Sequence, residues 1–325
     1  MTRGWAVGLD MGGTNIRCAA VSAAGDVILI QRGPSHASRA AAAVATNIGD
    51  QLESLLDAGR RRGLGSPKAI GVAVPGPLDV YSGTVMAAPH VAAWRGFPLR
   101  RLLEARIGRT VIVENDANAW ALGEFWRGAA RNRRDVVLLT LGTGVGGGLI
   151  VDGKLVHGRS GMAGELGHIT VNPDGPPCDC GSHGCLESYA SASGLRGLVV
   201  ARLNLAAGAP LPDNMIDADG NFSVRSMSKL ARAGDPLARE MFSIAGHYLG
   251  IAIASLLNTF NPELVVLGGG VAGALPYMRK QMDAQVKARA FAAISVQATI
   301  VRAALGPKSG VVGAAYAALH PPSKN

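Results

Sequence analysis

Three of the four cysteines in this chain fall within eight residues, "CDCGSHGC" at 178–185. With His168 upstream, Cys178, Cys180 and Cys185 make the pattern H-x9-C-x-C-x4-C. One imidazole and three thiolates are the donor set of a closed tetrahedral site, the form taken by structural zinc. No ligand position remains for water, which argues against metal-assisted hydrolysis. A disulfide between Cys178 and Cys180 would close a very small, strained ring. The C-x-x-C spacing of redox pairs is absent. His183 lies inside the knot, but four ligands already complete it, so a solvent-facing imidazole is expected there. Glu165 stands three residues before His168 and Glu187 two after Cys185. A metal that fixes this loop would fix both carboxylates as acceptors for substrate hydroxyl groups.

A second set of residues is suited to phosphates. In "GLDMGGTN" a strand delivers Asp10 to its end, and Gly12 and Gly13 permit a turn whose N–H groups can face an anion. Thr14 adds a hydroxyl, and Asp10 can hold Mg²⁺ through water. "LGTGVGGG" (141–148) repeats the arrangement with Thr143 and Gly144. "LGGGVAGA" (267–274), with Gly269 and Gly270, follows an apolar strand and opens a helix, where a nucleotide fits. Each turn alone is also consistent with a plain hairpin or loop, and a dinucleotide fold should carry an acidic residue about 20 residues on, after a second strand. Together they point to a nucleoside triphosphate held between two domains. In "VENDANAWALGE", Asn115 and Asp116 end a strand. Asp116 is placed either to cap the next helix or to deprotonate an attacking hydroxyl.

The elements that must position these groups are legible from period and punctuation. Residues 5–11, 15–22 and 27–32 are β-rich runs separated by glycine turns, which predicts a three-stranded antiparallel start. Helical spacing over 37–62, an apolar strand at 68–74, a strand at 109–116 and a helix after it complete a first half. The pattern restarts at 135–151 as strand, glycine turn, strand, echoing the opening. Helices near 193–207, 224–233, 236–259, 274–289 and 309–319 follow, with strands at 263–270 and 296–304. The expectation is a duplicated α/β fold. Its domains are placed at 1–117 with about 305–325, and at 118–304 with the metal loop.

Composition narrows the class. At 325 residues and 48% hydrophobic content the chain can bury a large core. No run of about 18 uncharged apolar residues is present, so no membrane span is expected. The N-terminus lacks a long apolar segment, so no signal peptide is expected, and the sparse cysteines argue against a secreted disulfide scaffold. These readings place the chain in the cytoplasm. The net charge of +9 is scattered, with its densest runs at 59–63 and 130–134 where helices end. No nucleic-acid-binding pattern accompanies it. Cys18, in a strand, is expected as a buried thiol. His90 and Trp94 in "APHVAAW" are candidates for the rim of a site or for loop packing.

Taken together, "DMGGT", "VPGPLD", "ENDANAWALGE", "LGTGVGGG", "GELGHITV", "CDCGSHGCLES" and "LGGGV" resemble the ROK group of sugar kinases, over nearly the whole chain. The resemblance implies a two-domain actin-like ATPase (ribonuclease H-like) fold with the active site in the interdomain cleft. It implies ATP-dependent phosphorylation of a hexose at the 6-hydroxyl, with glucose as the first expectation. Asp116 would be the general base. Asn115, Glu165, His168 and Glu187 would bind the sugar, and Gly76 would line the cleft. Asp10, Gly12, Gly13 and Thr14 would face the phosphates and Mg²⁺, Thr143 and Gly144 the γ-phosphate side, and Gly269 and Gly270 the adenosine. His168 would serve sugar and zinc with one ring nitrogen each. His90 stands where ROK glucokinases often carry asparagine in "APNLPGW", which brings an N-acetylglucosamine or N-acetylmannosamine kinase into the expectation. ROK-type regulators carry a DNA-binding region ahead of these motifs, and the position of Asp10 leaves no room for one. A homodimer or higher homo-oligomer is expected by resemblance, with no nucleic-acid or membrane partner. The sequence leaves the donor open between ATP and polyphosphate.

Overall fold

A computed structural model describes residues 4–86, 94–206 and 209–322 of the protein. The chain forms two compact units: Met1–Arg134 with Gly148–Gly164 and Ala303–Asn325, and Asp135–Gly147 with Glu165–Arg302. The first unit thus runs to Arg134 instead of 117, because the helix after Asn115 packs on the C-terminal helix.

In chain order the elements begin with β1 (Trp5–Met11), β2 (Asn15–Ser22), β3 (Val27–Pro34), α1 (Ala41–Arg61), β4 (Ile70–Val74), β5 (Leu78–Asp79), β6 (Thr84–Val85) and α2 (Leu99–Ile107). Next come β7 (Val111–Asn115), α3 (Asp116–Arg127), β8 (Val136–Leu141), β9 (Val145–Val151), β10 (Lys154–Leu155), α4 (Glu187–Ala190), α5 (Ala192–Arg202) and α6 (Val224–Ala233). The chain ends with α7 (Pro236–Phe260), β11 (Leu264–Gly268), α8 (Leu275–Arg289), α9 (Ala292–Ser295), β12 (Ile300–Arg302) and α10 (Ser309–Leu319).

Two five-stranded sheets have the orders β3-β2-β1-β4-β7 and β10-β9-β8-β11-β12. Counted within each sheet, both follow the path 3-2-1-4-5. In the first, β1, β2 and β3 pair antiparallel, while β4 and β7 join in parallel. In the second, β10 pairs antiparallel with β9, and β8, β11 and β12 are parallel. The expected duplication is therefore present at the level of topology.

The first sheet shows how residue size sets its layers. Alternate residues of a strand face opposite sides. On β1, Trp5, Val7, Leu9 and Met11 join Val44, Ile48, Leu52 and Leu55 of α1 in one core. Ala6, on the other face, packs with Val311, Val312 and Ala315 of α10. The large residues thus meet an ordinary amphipathic helix, and the small ones admit α10 at close range. That helix is buried on nearly every side. Gly313 is the extreme case, because a Cβ there would overlap the Ala119 carbonyl oxygen of α3. Backbone cannot yield as a side-chain tip does. Gly313→Ala is expected to lower stability by about 3 kcal/mol, the upper range for overpacking, read as a lower midpoint of thermal unfolding.

One buried acid completes this interface. Glu124, fully buried in α3, accepts from Ala129 N at 2.8 Å, Ala304 N and Leu305 N at 2.9 Å and Ser309 Oγ at 2.7 Å. It satisfies the amides at the end of α3 and those of the segment leading into α10, so its carboxylate is a structural clamp. In the second unit, α7 is long and apolar enough to cross a membrane. Much of it is buried among α4, α5, α6 and α8, which accounts for its composition.

Candidate active site

The first unit gathers Asp10, the Gly12–Thr14 turn, Gly76, Asn115 and Asp116. Asp10 sits near the end of β1, 3% exposed, on the face that receives α10. Burial, followed by the negative charge of Asp116, pushes its carboxyl up to about 7, against the opposing effects of Arg17 and a Trp120 hydrogen bond. Arg17 Nη1 stands 3.8 Å from Asp10 Oδ2. A buried carboxylate facing a second one is a place where a cation relieves repulsion. The turn beyond is anchored from outside: Ser35 Oγ donates to Gly13 O at 2.8 Å, and Ser35 N to Thr14 O at 2.9 Å. A Cβ at Gly13 would meet nothing within 4 Å, so the space over the turn is open for a ligand.

Asn115, and not Asp116, caps α3: its Oδ1 accepts from Ala117 N at 2.9 Å and Asn118 N at 3.1 Å. Asp116 occupies the first helical position, with Oδ1 accepting from Ala117 N at 2.9 Å. The cap alternative for Asp116 therefore fails, and its carboxylate stands at the positive end of a helix. Asn115 Nδ2 also donates to Gly76 O at 3.2 Å, tying the loop after β4 to this corner. Gly76 has φ 95°, which favours glycine there. Behind them lies a group the sequence reading missed. Glu114, 1% exposed, accepts from Asn115 N at 2.9 Å and Asn118 Nδ2 at 3.0 Å, and its Oε2 lies 2.8 Å from His157 Nε2. Alternation sets Glu114 on the opposite face of β7 from the core residues Val111 and Val113, and its partner lies 43 residues away.

The second unit gathers the metal residues and both flanking glutamates. The ligand atoms of His168, Cys178, Cys180 and Cys185 all lie within 4.8 Å of one another. Cys178 Sγ is 3.6 Å from His168 Nδ1, and Cys180 Sγ is 3.7 Å from Cys185 Sγ. A tetrahedron with metal–sulfur bonds of about 2.3 Å and metal–nitrogen bonds of about 2.0 Å has edges close to these. The thiols are free, and burial, with the neighbouring thiols, pushes Cys185 up to about 12. Such a group becomes a thiolate when a cation takes the proton's place. Cys178 N donates to Ser182 O at 2.8 Å, and Gly181 N to Cys178 O at 2.9 Å, which folds the knot on itself. His183 is exposed, as expected, and is not in the cluster.

His168 presents Nδ1 to the sulfurs, while Nε2 lies 4.0 Å from Glu165 Oε2. The Glu165 carboxyl is raised above its usual range by burial, opposed by His168 and reinforced by the charge of Glu187. Glu165, His168 and Glu187 thus share one electrostatic neighbourhood. Glu187 also does something the spacing did not suggest: its Oε2 accepts from Val145 N at 2.8 Å, beside Thr143 and Gly144. In the third turn, Gly269 has φ 84° and lies against Leu141 of β8. Gly270 opens a single 3-10 turn, Val271–Ala274, ahead of α8. Cys18 is fully buried. Trp94 is 2% exposed and stacks on Phe97 at 5.8 Å, so it is a packing residue and does not rim a site. His90 lies outside the described residues.

The chain is similar to proteins of known function. A glucokinase of Halalkalibacterium halodurans is 38% identical over 97% of this chain and 95% of its own. A ROK family glucokinase from Streptomyces griseus, solved with glucose and AMPPNP, is 35% identical, with a TM-score of 0.80 over 98% of this chain and 100% of its own. The transcriptional repressor Mlc of Escherichia coli is 30% identical over 76% of this chain but only 59% of its own. The actin-like α/β fold expected from the motifs is shared with these kinases. Residues 6–320 match the profile of the ROK family, and with this coverage the chain belongs to it.

Proposed function

We propose that this chain is an ATP-dependent hexose kinase that phosphorylates the 6-hydroxyl of glucose. The observation that carries the reading is Asp116, held at the first position of α3 beside the buried Asp10. Asp116 takes the proton of the acceptor hydroxyl as its oxygen bonds to the γ-phosphorus. The bond from that phosphorus to the bridging oxygen breaks, and ADP leaves. Such transfers depend on positioning and on charge neutralisation more than on covalent help. Asn115, Glu165, His168 and Glu187 orient the sugar, and Gly76 shapes the loop that Asn115 holds. Gly12, Gly13, Thr14, Thr143 and Gly144 face the phosphates, with Gly269 and Gly270 toward the adenosine.

Asp10 would hold Mg²⁺ through water, and Mg²⁺ neutralises charge on the triphosphate. His168, Cys178, Cys180 and Cys185 would hold zinc, in a closed site with a structural role. The relatives described as glucokinases, and the structure solved with glucose and AMPPNP, support the choice of acceptor and donor. The same reading places the enzyme in the cytoplasm, as a homodimer or higher homo-oligomer.

An assay that couples ADP release to a visible signal tests this directly. Its panel is glucose, mannose, fructose, allose, N-acetylglucosamine and N-acetylmannosamine, with ATP or polyphosphate as donor. Glucose with ATP is expected to give the highest kcat/KM. A higher value for an N-acetylated sugar would replace glucose as the acceptor, and no turnover with any pair would overturn the kinase reading.

A further inference from the structure

The residues after the metal knot reach back to the glycine turn that joins β8 and β9, and every contact lies within the second unit. Glu187 Oε2 accepts from Val145 N at 2.8 Å. Ala192 N donates to Gly142 O at 2.8 Å, Ser193 N to Thr143 O at 3.3 Å, and Ser193 Oγ to Thr143 O at 2.9 Å. Within the turn itself, Gly142 N donates to Gly144 O at 2.9 Å. Gly144 lies so close to this segment that a Cβ there would overlap Glu187 Oε2.

The segment is itself stiff. Ser191, fully buried, caps α5 by accepting from Gly194 N at 2.8 Å. Its hydroxyl donates to Glu187 O at 2.6 Å, and it lies 2.9 Å from Ser193 Oγ. Ser191 therefore joins the two ends that hold the turn. At the other end, Leu186 N donates to Ile169 O at 3.0 Å, one residue from His168 and Cys185.

We propose that Glu187–Ser193 is a clip that sets the shape of the Gly142–Val145 turn, and that Ser191 and Ser193 are positioning residues for the phosphoryl donor. A glycine-rich turn has little stiffness of its own. Amides that must meet a phosphate need fixing from outside, as preorganised donors do. Four bonds from one rigid segment supply that. The clip also ties the metal knot, through Leu186 and Glu187, to the donor turn. The inference rests on the kinase reading for the identity of the ligand.

Ala192 offers a clean test. It is the first residue of α5, and Ser191 before it is extended, with φ −92° and ψ 171°. Proline is favoured at the first helical position and after an extended residue. Ala192→Pro thus keeps the helix while deleting the N–H that holds Gly142. Titration of the variant with a non-hydrolysable ATP analogue is expected to give a Kd raised about tenfold, with the glucose Kd changed less than about twofold, as for one or two hydrogen bonds. Thermal midpoint and bound zinc are expected to match the parent. Ser193→Ala is expected to raise the analogue Kd about fivefold, and Ser193→Thr, which keeps the hydroxyl, to restore it.

Unchanged nucleotide binding in both Ala192→Pro and Ser193→Ala would overturn the clip alone. Equal loss of glucose and nucleotide binding with a lowered thermal midpoint would also overturn it, by making the segment merely structural. A parent protein that binds no ATP analogue would overturn the kinase reading, and the clip's ligand with it.

Discussion

Replacing Asp116 with asparagine is expected to lower kcat for hexose phosphorylation by about 10²- to 10⁴-fold, the usual contribution of a positioned base. The exchange changes little else. Asn115, which caps α3, is untouched, and an asparagine Oδ1 at 116 can still accept from Ala117 N. The lost carboxylate forgoes a favourable interaction with the helix end of about 0.3–1 kcal/mol. Against this, repulsion with the buried Asp10 is relieved, and the Asp10 carboxyl moves back toward its usual range. The thermal midpoint is therefore expected to stay near that of the parent. Glucose binding, measured by calorimetry without nucleotide, is expected to survive because Asn115, Glu165, His168 and Glu187 are intact. Loss of kcat with retained sugar binding is the signature of a group that acts in the transition state. Near-normal turnover by Asp116→Asn would sink the assignment of the base.

Much of this site was legible because its parts are local. The Cys₃His set needs only spacing and donor chemistry, and the ligand atoms come within 4.8 Å of one another. The repeated strand–glycine turn–strand pattern was readable because the two sheets follow the same path, each opening with a hairpin. What escaped depends on contacts between distant segments. His157 meets Glu114 across 43 residues, and Glu124 meets Leu305 across 181. A lone glutamate in a helix carries no mark of the amides it will accept from. Glu187 was legible as a carboxylate beside the knot, but its bond to Val145 N, 42 residues away, was not. Asp116 was readable as a cap or as a base, and only the backbone at the start of α3 gives the cap to Asn115 instead. Trp94 was ambiguous for the same reason: a tryptophan in a Pro/Gly-rich loop reads as exposed until Phe97 is found stacked on it.

Removing the metal is expected to weaken the sugar site without unfolding the first unit. Backbone bonds such as Cys178 N to Ser182 O, Gly181 N to Cys178 O and Gly184 N to Pro176 O fold the knot, but no disulfide locks it among the described residues. Three thiols and an imidazole crowded within 4.8 Å are a poor arrangement without a cation, since a thiol is only a weak hydrogen-bond donor and acceptor. Zinc binding to comparable donor sets contributes about 10–16 kcal/mol in small zinc domains, enough to order a loop of this size. Cys178→Ser, or prolonged chelation, is expected to leave less than one zinc per chain by elemental analysis. Backbone amides from His168 to Glu187 are then expected to exchange with solvent faster, while those of β1 and α10 keep their protection. Activity is expected to fall on the order of 10²-fold, the scale at which the surroundings of a metal affect function. Two routes lead from the knot to the chemistry. His168 loses the anchor on Nδ1 that aims Nε2 toward Glu165, and Glu187, two residues from Cys185, loses the anchor that lets it hold Val145 N. The second route adds a specific mark: metal-free protein should bind the ATP analogue more weakly as well as glucose. A zinc-free preparation with full activity and unchanged exchange would refute the structural role given to the knot.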